Sequence, residues 1–224
     1  MDLLSFNFFK NYFNLIFTIL QPRQCLGCNH FTDNIFCENC DKLTSISISS
    51  LDFNQRTYFF LVDYNEQLKI SFSEIKFNSN RAVLSYLKSK LVRLEKSFFT
   101  YDYWIPVPYH FKRLQRRGFD LIKELFSDFF DDLNIPCLEL LNRNKNTKPL
   151  FDKPINERKR ILKNVFSLAN DPINIKGKRL LLVDDIVTSG STVNECIKIL
   201  ETSLNCNVDV FSYSKVIDYD KKFN

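Results

Sequence analysis

The chain has 224 residues, of which 45% are hydrophobic, and this is enough for one ordinary domain with a core plus a small module. Its formal net charge of +5 permits a phosphate-bearing partner but does not by itself indicate one. There are seven cysteines, an odd number, and four of them have metal-like spacing. This pattern argues against a disulfide scaffold and predicts a reducing, cytoplasmic location.

The first 21 residues form an apolar segment that polar residues interrupt. Its apolar side chains recur at helical spacing and predict an amphipathic helix: Leu4, Phe8, Tyr12, Leu15 and Ile19. The segment is too broken for a membrane span, and it lacks the basic start and the cleavage site of a signal peptide. Two interpretations stay open, since such a helix can pack on its own domain or bind a partner or the periphery of a membrane.

Residues 22–41 hold two Cys-x-x-Cys pairs, whose thiols belong to Cys25, Cys28, Cys37 and Cys40. Two such pairs bring four thiolates within tetrahedral reach of one ion. Zinc is the default metal because it has no redox chemistry to explain. We therefore predict a structural four-cysteine zinc finger over this segment. An iron site of the rubredoxin type and a redox dithiol are the alternatives.

The next part of the chain predicts a linker followed by alternating elements. Residues 42–55, rich in Ser, Thr and Ile, are typical of a linker, and residues 57–64 predict a strand. Residues 76–80 predict a turn, and residues 81–98 predict a helix with leucines along one side. The main domain is therefore expected to begin at residue 55.

Residues 104–108 predict a short strand that ends at a proline, and a basic loop follows it. The permanent cations of this loop are Lys112, Arg113, Arg116 and Arg117. Because guanidinium groups pair with phosphate oxygens bidentately, Arg113, Arg116 and Arg117 form a candidate diphosphate site. A solvated basic turn is the alternative. A helix over residues 120–133 is predicted next.

The most informative stretch is an apolar run that leads into two acids and a hydroxyl-rich turn. Residues 180–183 are apolar without alternation, which is typical of a strand buried on both faces. Helical spacing follows the turn up to residue 200, and residues 208–213 predict a last strand. Backbone N–H groups at such a helix start favour a phosphate. Hydroxyl donors and a permissive glycine come from Thr188, Ser189, Gly190, Ser191 and Thr192.

The two acids, Asp184 and Asp185, are unexpected beside a phosphate site unless the ligand needs them. Carboxylates can accept hydrogen bonds from vicinal sugar hydroxyls, or they can hold the water shell of Mg²⁺. A ligand that combines a phosphate, a diol and a metal is a ribose 5-phosphate. Two alternatives compete with this interpretation. Such acids also open receiver domains, although too little chain follows here for one, and an acidic helix cap can occur by accident.

This stretch resembles the site with which type I phosphoribosyltransferases bind phosphoribosyl pyrophosphate (PRPP). Over residues 20–215 the chain resembles the ComF family of competence-associated, phosphoribosyltransferase-like proteins. The motifs that carry the resemblance occur in the family's order: the tandem Cys-x-x-Cys pairs, Lys76-Phe77, Ile105-Pro106-Val107-Pro108, Arg113 with Arg117-Gly118-Phe119, and residues 184–192.

The resemblance implies an α/β fold of the type I phosphoribosyltransferase kind, with a mostly parallel sheet and flanking helices over residues 55–217, preceded by the zinc finger. It implies that Asp184 and Asp185 are catalytic and orient PRPP together with Mg²⁺. It also implies that residues 188–192 surround the 5-phosphate, and that the protein takes part in DNA uptake during natural transformation.

Residues 143–165 form a second basic stretch, in which the chain follows the ComF pattern only in part. The positions that can be matched in and just after it are Arg143, Thr147, Glu157, Arg158 and Phe166. Leu150 stands where the family has Gln, and Ile161 stands near its usual Asn. Both departures fall in the hood that would cover an acceptor, so transferase activity is left open. The stretch is typical of a solvated loop, and equally of a surface for phosphate or nucleic acid.

Two hypotheses about function follow. In the first, the chain is a ComF-type protein that binds PRPP or a related sugar phosphate and is a candidate phosphoribosyltransferase. In the second, it keeps the fold without the activity and binds single-stranded DNA by charge and stacking. The two hypotheses can both hold. The resemblance implies that the protein handles incoming DNA on the cytosolic side, where competence DNA-uptake proteins at the inner membrane are the expected partners.

Overall fold

The computed structural model describes residues 23–94, 99–147, 155–169 and 175–216, so the predicted helix over residues 1–21 lies outside the described part. The elements in chain order are α1 (Glu38–Lys42), β1 (Ser49–Phe53), β2 (Arg56–Asp63), α2 (Glu66–Asn78), α3 (Arg81–Leu91), β3 (Tyr103–Pro106), α4 (Phe111–Arg117), α5 (Leu121–Asp131), β4 (Leu141–Arg143), α6 (Ile155–Leu162), β5 (Phe166–Leu168), β6 (Arg179–Val187), α7 (Ser191–Leu204) and β7 (Asn207–Lys215). None of the helices in the described ranges is long and apolar enough to cross a membrane.

The main sheet has five strands in the order β1-β2-β7-β6-β3. Strands β2, β7, β6 and β3 are parallel, and β1 pairs antiparallel with β2 at one edge. The apolar run Leu180–Val183 lies in β6 next to the other edge strand, and all four residues are fully buried. The predicted mostly parallel sheet, with strand β6 buried on both faces over its apolar run, is therefore confirmed.

Helices cover both faces of this sheet, as contacts of strands β7 and β2 show. On one face, Phe211 packs against Phe126 of α5, with ring centroids 5.4 Å apart, and Tyr213 packs against Phe72 of α2 at 5.7 Å. On the other face, Tyr58 of β2 donates a hydrogen bond to Asn194 of α7. The two layers of helices leave the carboxyl ends of the parallel strands as the place where loops meet.

A smaller sheet lies beside the main one. Strands β4 and β5 pair antiparallel, and α6 lies between them in sequence. Strand β5 and helix α6 both pack against α7. The described residues 141–147 and 155–169, which include these three elements, are called the hood below, because they stand beside the end of β6 and the start of α7.

Strands β2, β3, β6 and β7 and helices α3, α5 and α7 lie where the sequence predicts them, with shifts at their ends. Helix α3 ends at Leu91, whereas the periodicity predicts a helix to residue 98; residues 95–98 lie outside the described part. Asp120 caps α5 by accepting from the N–H groups of Ile122 and Lys123. These elements have long apolar patterns, which is why local sequence predicts them.

Two elements occur where the sequence predicts irregular backbone. Residues 42–55, predicted as a linker, contain β1, whose side chains are exposed or half-buried because it is an edge strand. The predicted basic loop forms helix α4, which Gly118 ends with a φ of +80°. Its arginines in the last turn lie at the negative end of the helix dipole, a favourable place for them. Short, polar elements of this kind carry no strong periodic signal.

Helix α2 is absent from the sequence-based prediction, which has only a turn over residues 76–80. The turn is present, with Ser79 in the left-handed region at a φ of 53°, but Lys76 belongs to the last turn of the helix before it. Three apolar residues at helical spacing bury one narrow face of α2: Leu68, Phe72 and Ile75. The helix brings Lys76 to the sheet, and this has consequences for the site.

Candidate functional site

The two acids at the end of β6 point to opposite faces of the sheet, because successive residues of a strand alternate. Asp185 shares the face of Val183 and Phe211, which the helices α2 and α5 cover. Asp184 is paired with Ser212 and faces the side of α7. The sequence predicts the two acids to act together on one ligand, but their surroundings differ.

Asp185 is held inside the protein by two donors. Its Oδ2 atom lies 2.8 Å from Nζ of Lys76 and accepts a hydrogen bond of 2.5 Å from the hydroxyl of Tyr109. The residue is only 5% exposed. Burial raises the pKa of Asp185, but the charges of Lys76 and Arg117 and the two hydrogen bonds outweigh it and hold this pKa below its usual value. Asp185 is therefore an ionised carboxylate with one oxygen committed to protein donors.

Arg117, one of the predicted diphosphate ligands, lies on the same side as Asp185. It is 6% exposed, its guanidinium lies 4.7 Å from the centroid of the Tyr109 ring, and its Nε and Nη1 atoms have no hydrogen-bond partner in the described residues. The other two predicted diphosphate ligands, Arg113 and Arg116, contact different parts of the protein. Arg113 donates to the carbonyl of Thr147 in the hood, and Arg116 is exposed above the ring of Phe77. The predicted diphosphate role of the three arginines stays a prediction.

Asp184 opens onto a cleft that the predicted phosphate loop lines. The cleft has an open volume of about 290 Å³, and its walls are Arg158, Asp184 and residues 186–193. Burial and the neighbouring charge of Asp185 raise the pKa of Asp184 to about 7, against the opposing charges of Lys76 and Arg143. Its Oδ1 atom accepts the N–H of Asp185 at 2.9 Å. Of the two acids, Asp184 is the one that a ligand in this cleft would meet.

The loop before α7 has several features that favour an anion. Gly190 has a φ of 66° and ψ of −1°, which a residue with a side chain rarely adopts, and α7 begins at Ser191 without a side-chain cap on its first N–H groups. The hydroxyls of Ser189 and Ser191 lie 2.9 Å apart. Uncapped N–H groups and the positive end of the helix dipole attract negative charge. The structure thus brings together the predicted phosphate-binding residues, 188–192, and Asp184.

The hood contributes two arginines, Arg143 and Arg158, which the sequence places in a basic stretch and which match the ComF pattern without an assigned role. Arg143 of β4 donates to the Thr147 hydroxyl at 2.7 Å and stacks on the Phe166 ring at 5.1 Å. Burial and the nearby charge of Arg113 lower the pKa of Arg143 to about 10. Arg158 of α6 donates from Nη1 to the hydroxyl of Thr188 at 3.4 Å. Arg113 and Arg143 therefore meet at Thr147, while Arg158 reaches the phosphate loop.

Four residues of the site are missing from the sequence-based site prediction: Lys76, Tyr109, Arg143 and Arg158. They lie on α2, after β3, on β4 and on α6, far apart in sequence from the acids. Lys76, Arg143 and Arg158 match positions of the ComF pattern, so the resemblance carried a signal for these three. No local sequence pattern predicts that Tyr109 donates a hydrogen bond to Asp185.

The four predicted metal ligands lie together in the N-terminal module. The Sγ atoms of Cys25, Cys28, Cys37 and Cys40 are all within 4.8 Å of one another. Burial raises the pKa of the Cys25 thiol, but N–H donation from Cys37 at 3.2 Å and from Gly27 at 3.4 Å outweighs it and lowers this pKa to about 6. A thiolate stabilised in this way is a suitable metal ligand. The cluster can hold one tetrahedral metal ion.

The cysteine module packs on the main domain through α3. The hydroxyl of Tyr86 donates to Oδ1 of Asp41 at 2.6 Å, and Lys90 forms an ion pair with the same oxygen at 2.7 Å. The Tyr86 ring also packs against Phe36, at 5.4 Å between centroids. Gly27 allows the module to close, because a Cβ atom there would lie 3.0 Å from the Cys40 sulfur. The module is therefore joined to the domain by a packed polar contact.

This chain is similar to a known protein family and to several known proteins. The model of the phosphoribosyl transferase domain family matches residues 114–208. Competence protein F of Haemophilus influenzae is 34% identical over 148 residues, which cover 61% of this chain and 63% of that protein. Competence protein ComFC of Streptococcus pneumoniae is 24% identical over 200 residues, 84% of this chain and 86% of that one. The DNA utilization protein YhgH of Escherichia coli O157:H7 is 28% identical over 170 residues, 70% and 71% of the two chains.

Among solved structures, adenine phosphoribosyltransferase from Saccharomyces cerevisiae aligns over 83% of this chain and 94% of its own, with 15% identity and a TM-score of 0.41. A structural similarity this low gives no information about the ligand of this chain. The alignment with the Haemophilus influenzae relative spans less than two thirds of that protein.

Replacing Asp184 by Asn should make the protein more stable at high pH. Because the pKa of Asp184 is about 7 when folded and near 3.9 when unfolded, ionisation destabilises the fold increasingly as pH rises between these values. Asn cannot ionise, so the free energy of unfolding of Asp184→Asn should exceed that of the wild type by about 3–4 kcal/mol at pH 8, and by less than half of that at pH 5. Urea unfolding without Mg²⁺ at both pH values measures the difference, and a difference independent of pH would contradict the account.

Proposed function

Because this chain belongs to the ComF family and has the type I phosphoribosyltransferase fold, we propose that its cleft binds PRPP or a related ribose 5-phosphate during the uptake of DNA in natural transformation. The observation that carries the proposal is the single cleft shared by Asp184 and the loop of residues 188–192. A carboxylate next to an anion-binding loop suits a ligand that has both hydroxyls and a phosphate.

Different residues of the cleft would bind different groups of this ligand. The N–H groups at the start of α7 and the hydroxyls of residues 188–192 bind the 5-phosphate. Asp184 accepts hydrogen bonds from the ribose hydroxyls and is the carboxylate placed to hold the water shell of Mg²⁺. Mg²⁺ would supply positive charge to the diphosphate. Asp185, fixed by Lys76 and Tyr109, keeps the end of β6 in position and adds negative charge behind Asp184.

Transfer to an acceptor is the reaction that such a site can support. An acceptor would displace pyrophosphate at C1 of the ribose, and catalysis would come from positioning and from stabilisation of the developing charge. Arg113 and Arg143, which meet at Thr147, are the cations placed to bind the departing diphosphate from the side of the hood. Arg117 adds a buried positive charge beside Asp185.

Zinc is the ion that we assign to the four cysteines, because an all-sulfur tetrahedral set suits it and no redox partner is required. The contact of the module with α3, through Asp41, Tyr86 and Lys90, indicates a structural role for this ion. The proposed place of action is the cytoplasmic side of the inner membrane, with competence DNA-uptake proteins as partners.

The binding test compares the wild type with an Asp184→Asn/Asp185→Asn double variant. Metal analysis should first show one zinc ion per folded chain in both proteins. Calorimetric titration with PRPP in the presence of Mg²⁺ should then show binding by the wild type and a loss of at least about 100-fold in the variant, because the charged acceptor that faces the ligand, Asp184, is removed and Asp185 no longer fixes the end of β6. Failure of the folded, zinc-loaded wild type to bind PRPP or ribose 5-phosphate would overturn the proposal.

A second candidate function is the binding of single-stranded DNA, and exposed aromatic and basic residues of α2 and α4 favour it. Phe77 and Phe111 are 59% and 55% exposed, Arg116 lies 5.7 Å above the Phe77 ring, and Lys112 is exposed next to Phe111. Exposed rings among cations are the elements with which proteins stack bases and attract a backbone without reading sequence. We call these four residues the aromatic–basic patch.

Salt dependence and one variant test this second function. An oligothymidylate should bind more weakly as salt rises, and Phe77→Ala/Phe111→Ala should weaken binding by about 10-fold or more, since stacking is worth about 1–3 kcal/mol per base. The control is Phe31→Ala, which removes a ring that is 62% exposed on the cysteine module. Equal losses in the two variants would contradict the assignment to the patch, and binding that is insensitive to salt would contradict a backbone contact.

A further inference from the structure

The cleft beside Asp184 lacks positive charge from its own loop. Residues 186–193, which form most of its wall, contribute hydroxyls, backbone groups and apolar side chains, but no charged side chain. The charged residues of the wall are Asp184 and Arg158. A sugar phosphate carries close to two negative charges, and Asp184 adds a further one when it is ionised. A cation at this wall therefore strengthens the binding of a phosphate next to the acid.

Arg158 supplies that cation from another part of the chain. It lies on α6, in the hood, and its Nη1 atom donates to the Thr188 hydroxyl at 3.4 Å. Helix α6 packs against α7, and Leu162 at its end is 1% exposed. The buried end of α6 fixes the helix beside the phosphate loop, so the guanidinium reaches the cleft while its backbone stays in the hood.

We propose that Arg158 recognises the 5-phosphate of the ligand, and that this contact fastens the hood over the cleft. The inference rests on the proposed function. It assigns the specificity for a phosphorylated sugar to a residue of the hood, in addition to the N–H groups of the loop. A guanidinium can bind two phosphate oxygens at once, so the cost of burying an unpaired phosphate charge is avoided when Arg158 and the loop meet on the same group.

The position of Arg158 separates it from the arginines assigned to the diphosphate. Arg113 and Arg143 meet at Thr147, on the strand β4 side of the hood. Arg158 instead contacts Thr188, the first residue of the phosphate loop. The two groups of cations therefore serve opposite ends of PRPP, and a ligand without the diphosphate should still depend on Arg158.

The test uses two ligands and three variants of the full-length, zinc-loaded protein. Arg158→Gln removes the charge, Arg158→Lys restores it without the planar fork, and Arg160→Gln removes an exposed charge from the same helix as a matched control. Calorimetry with ribose 5-phosphate and with PRPP, each with Mg²⁺, should show that Arg158→Gln weakens both by the same factor, about 10–100-fold. Arg158→Lys should recover part of the loss, and Arg160→Gln should bind both ligands like the wild type.

A second measurement tests the fastening of the hood. Ribose 5-phosphate should slow hydrogen exchange of the α6 amides in the wild type and in Arg160→Gln, but not in Arg158→Gln. Thermal unfolding confirms that each variant is folded before titration.

Three results would overturn the inference, and they are distinguishable. A loss confined to PRPP would assign Arg158 to the diphosphate. Equal affinities of wild type and Arg158→Gln for both ligands would remove the residue from the site while leaving the proposed function intact. Absence of binding by the wild type would overturn the proposed function, and the inference with it.

Discussion

The ion pair between Lys76 and Asp185 is the contact on which the arrangement of this site depends. A carboxylate that is 5% exposed inside a sheet requires close donors, because an unpaired buried charge is strongly unfavourable. Lys76 and Tyr109 supply them at 2.8 and 2.5 Å, and in doing so they tie α2 and the segment after β3 to the end of β6. With Asp185 committed to one face, Asp184 is left to face the cleft on the other.

This asymmetry gives two adjacent acids different tasks. The face of α2 contains the cations that compensate Asp185, whereas the face of α7 contains the uncapped helix start and the loop hydroxyls that suit a phosphate. Asp184 faces the α7 side, with its pKa raised to about 7 by burial and by the charge of Asp185. In the proposed function, cations of the hood would complete the ligand side, because the residues of β6 and its loop that line the cleft provide none. The proposed function would therefore couple binding of an anionic ligand to the position of the hood.

The sequence predicts the parts of this arrangement that depend on local pattern. The run Leu180–Val183, the acids and the turn around Gly190 lie together, so strand, loop and helix follow from neighbouring residues, and the cysteine spacing predicts the metal cluster in the same way. The sequence does not predict edge strand β1, helix α2 or helix α4, because these elements are short or bury only a narrow face. Local pattern does not predict the partners of Asp185, Lys76 and Tyr109, or the loop contact of Arg158, because tertiary contacts bring these residues to β6 and its loop and periodicity does not encode such contacts.

The most direct test of the account is the free energy of unfolding of Asp184→Asn and Asp185→Asn, measured side by side by urea denaturation at pH 8 without Mg²⁺. The account predicts opposite signs. Asp184→Asn should be more stable than the wild type, because it removes a carboxylate whose ionisation the fold opposes. Asp185→Asn should be less stable by about 3 kcal/mol, because it leaves Lys76 without its charged acceptor. Changes of the same sign and similar size would show that the two acids are equivalent, and would contradict the division of roles.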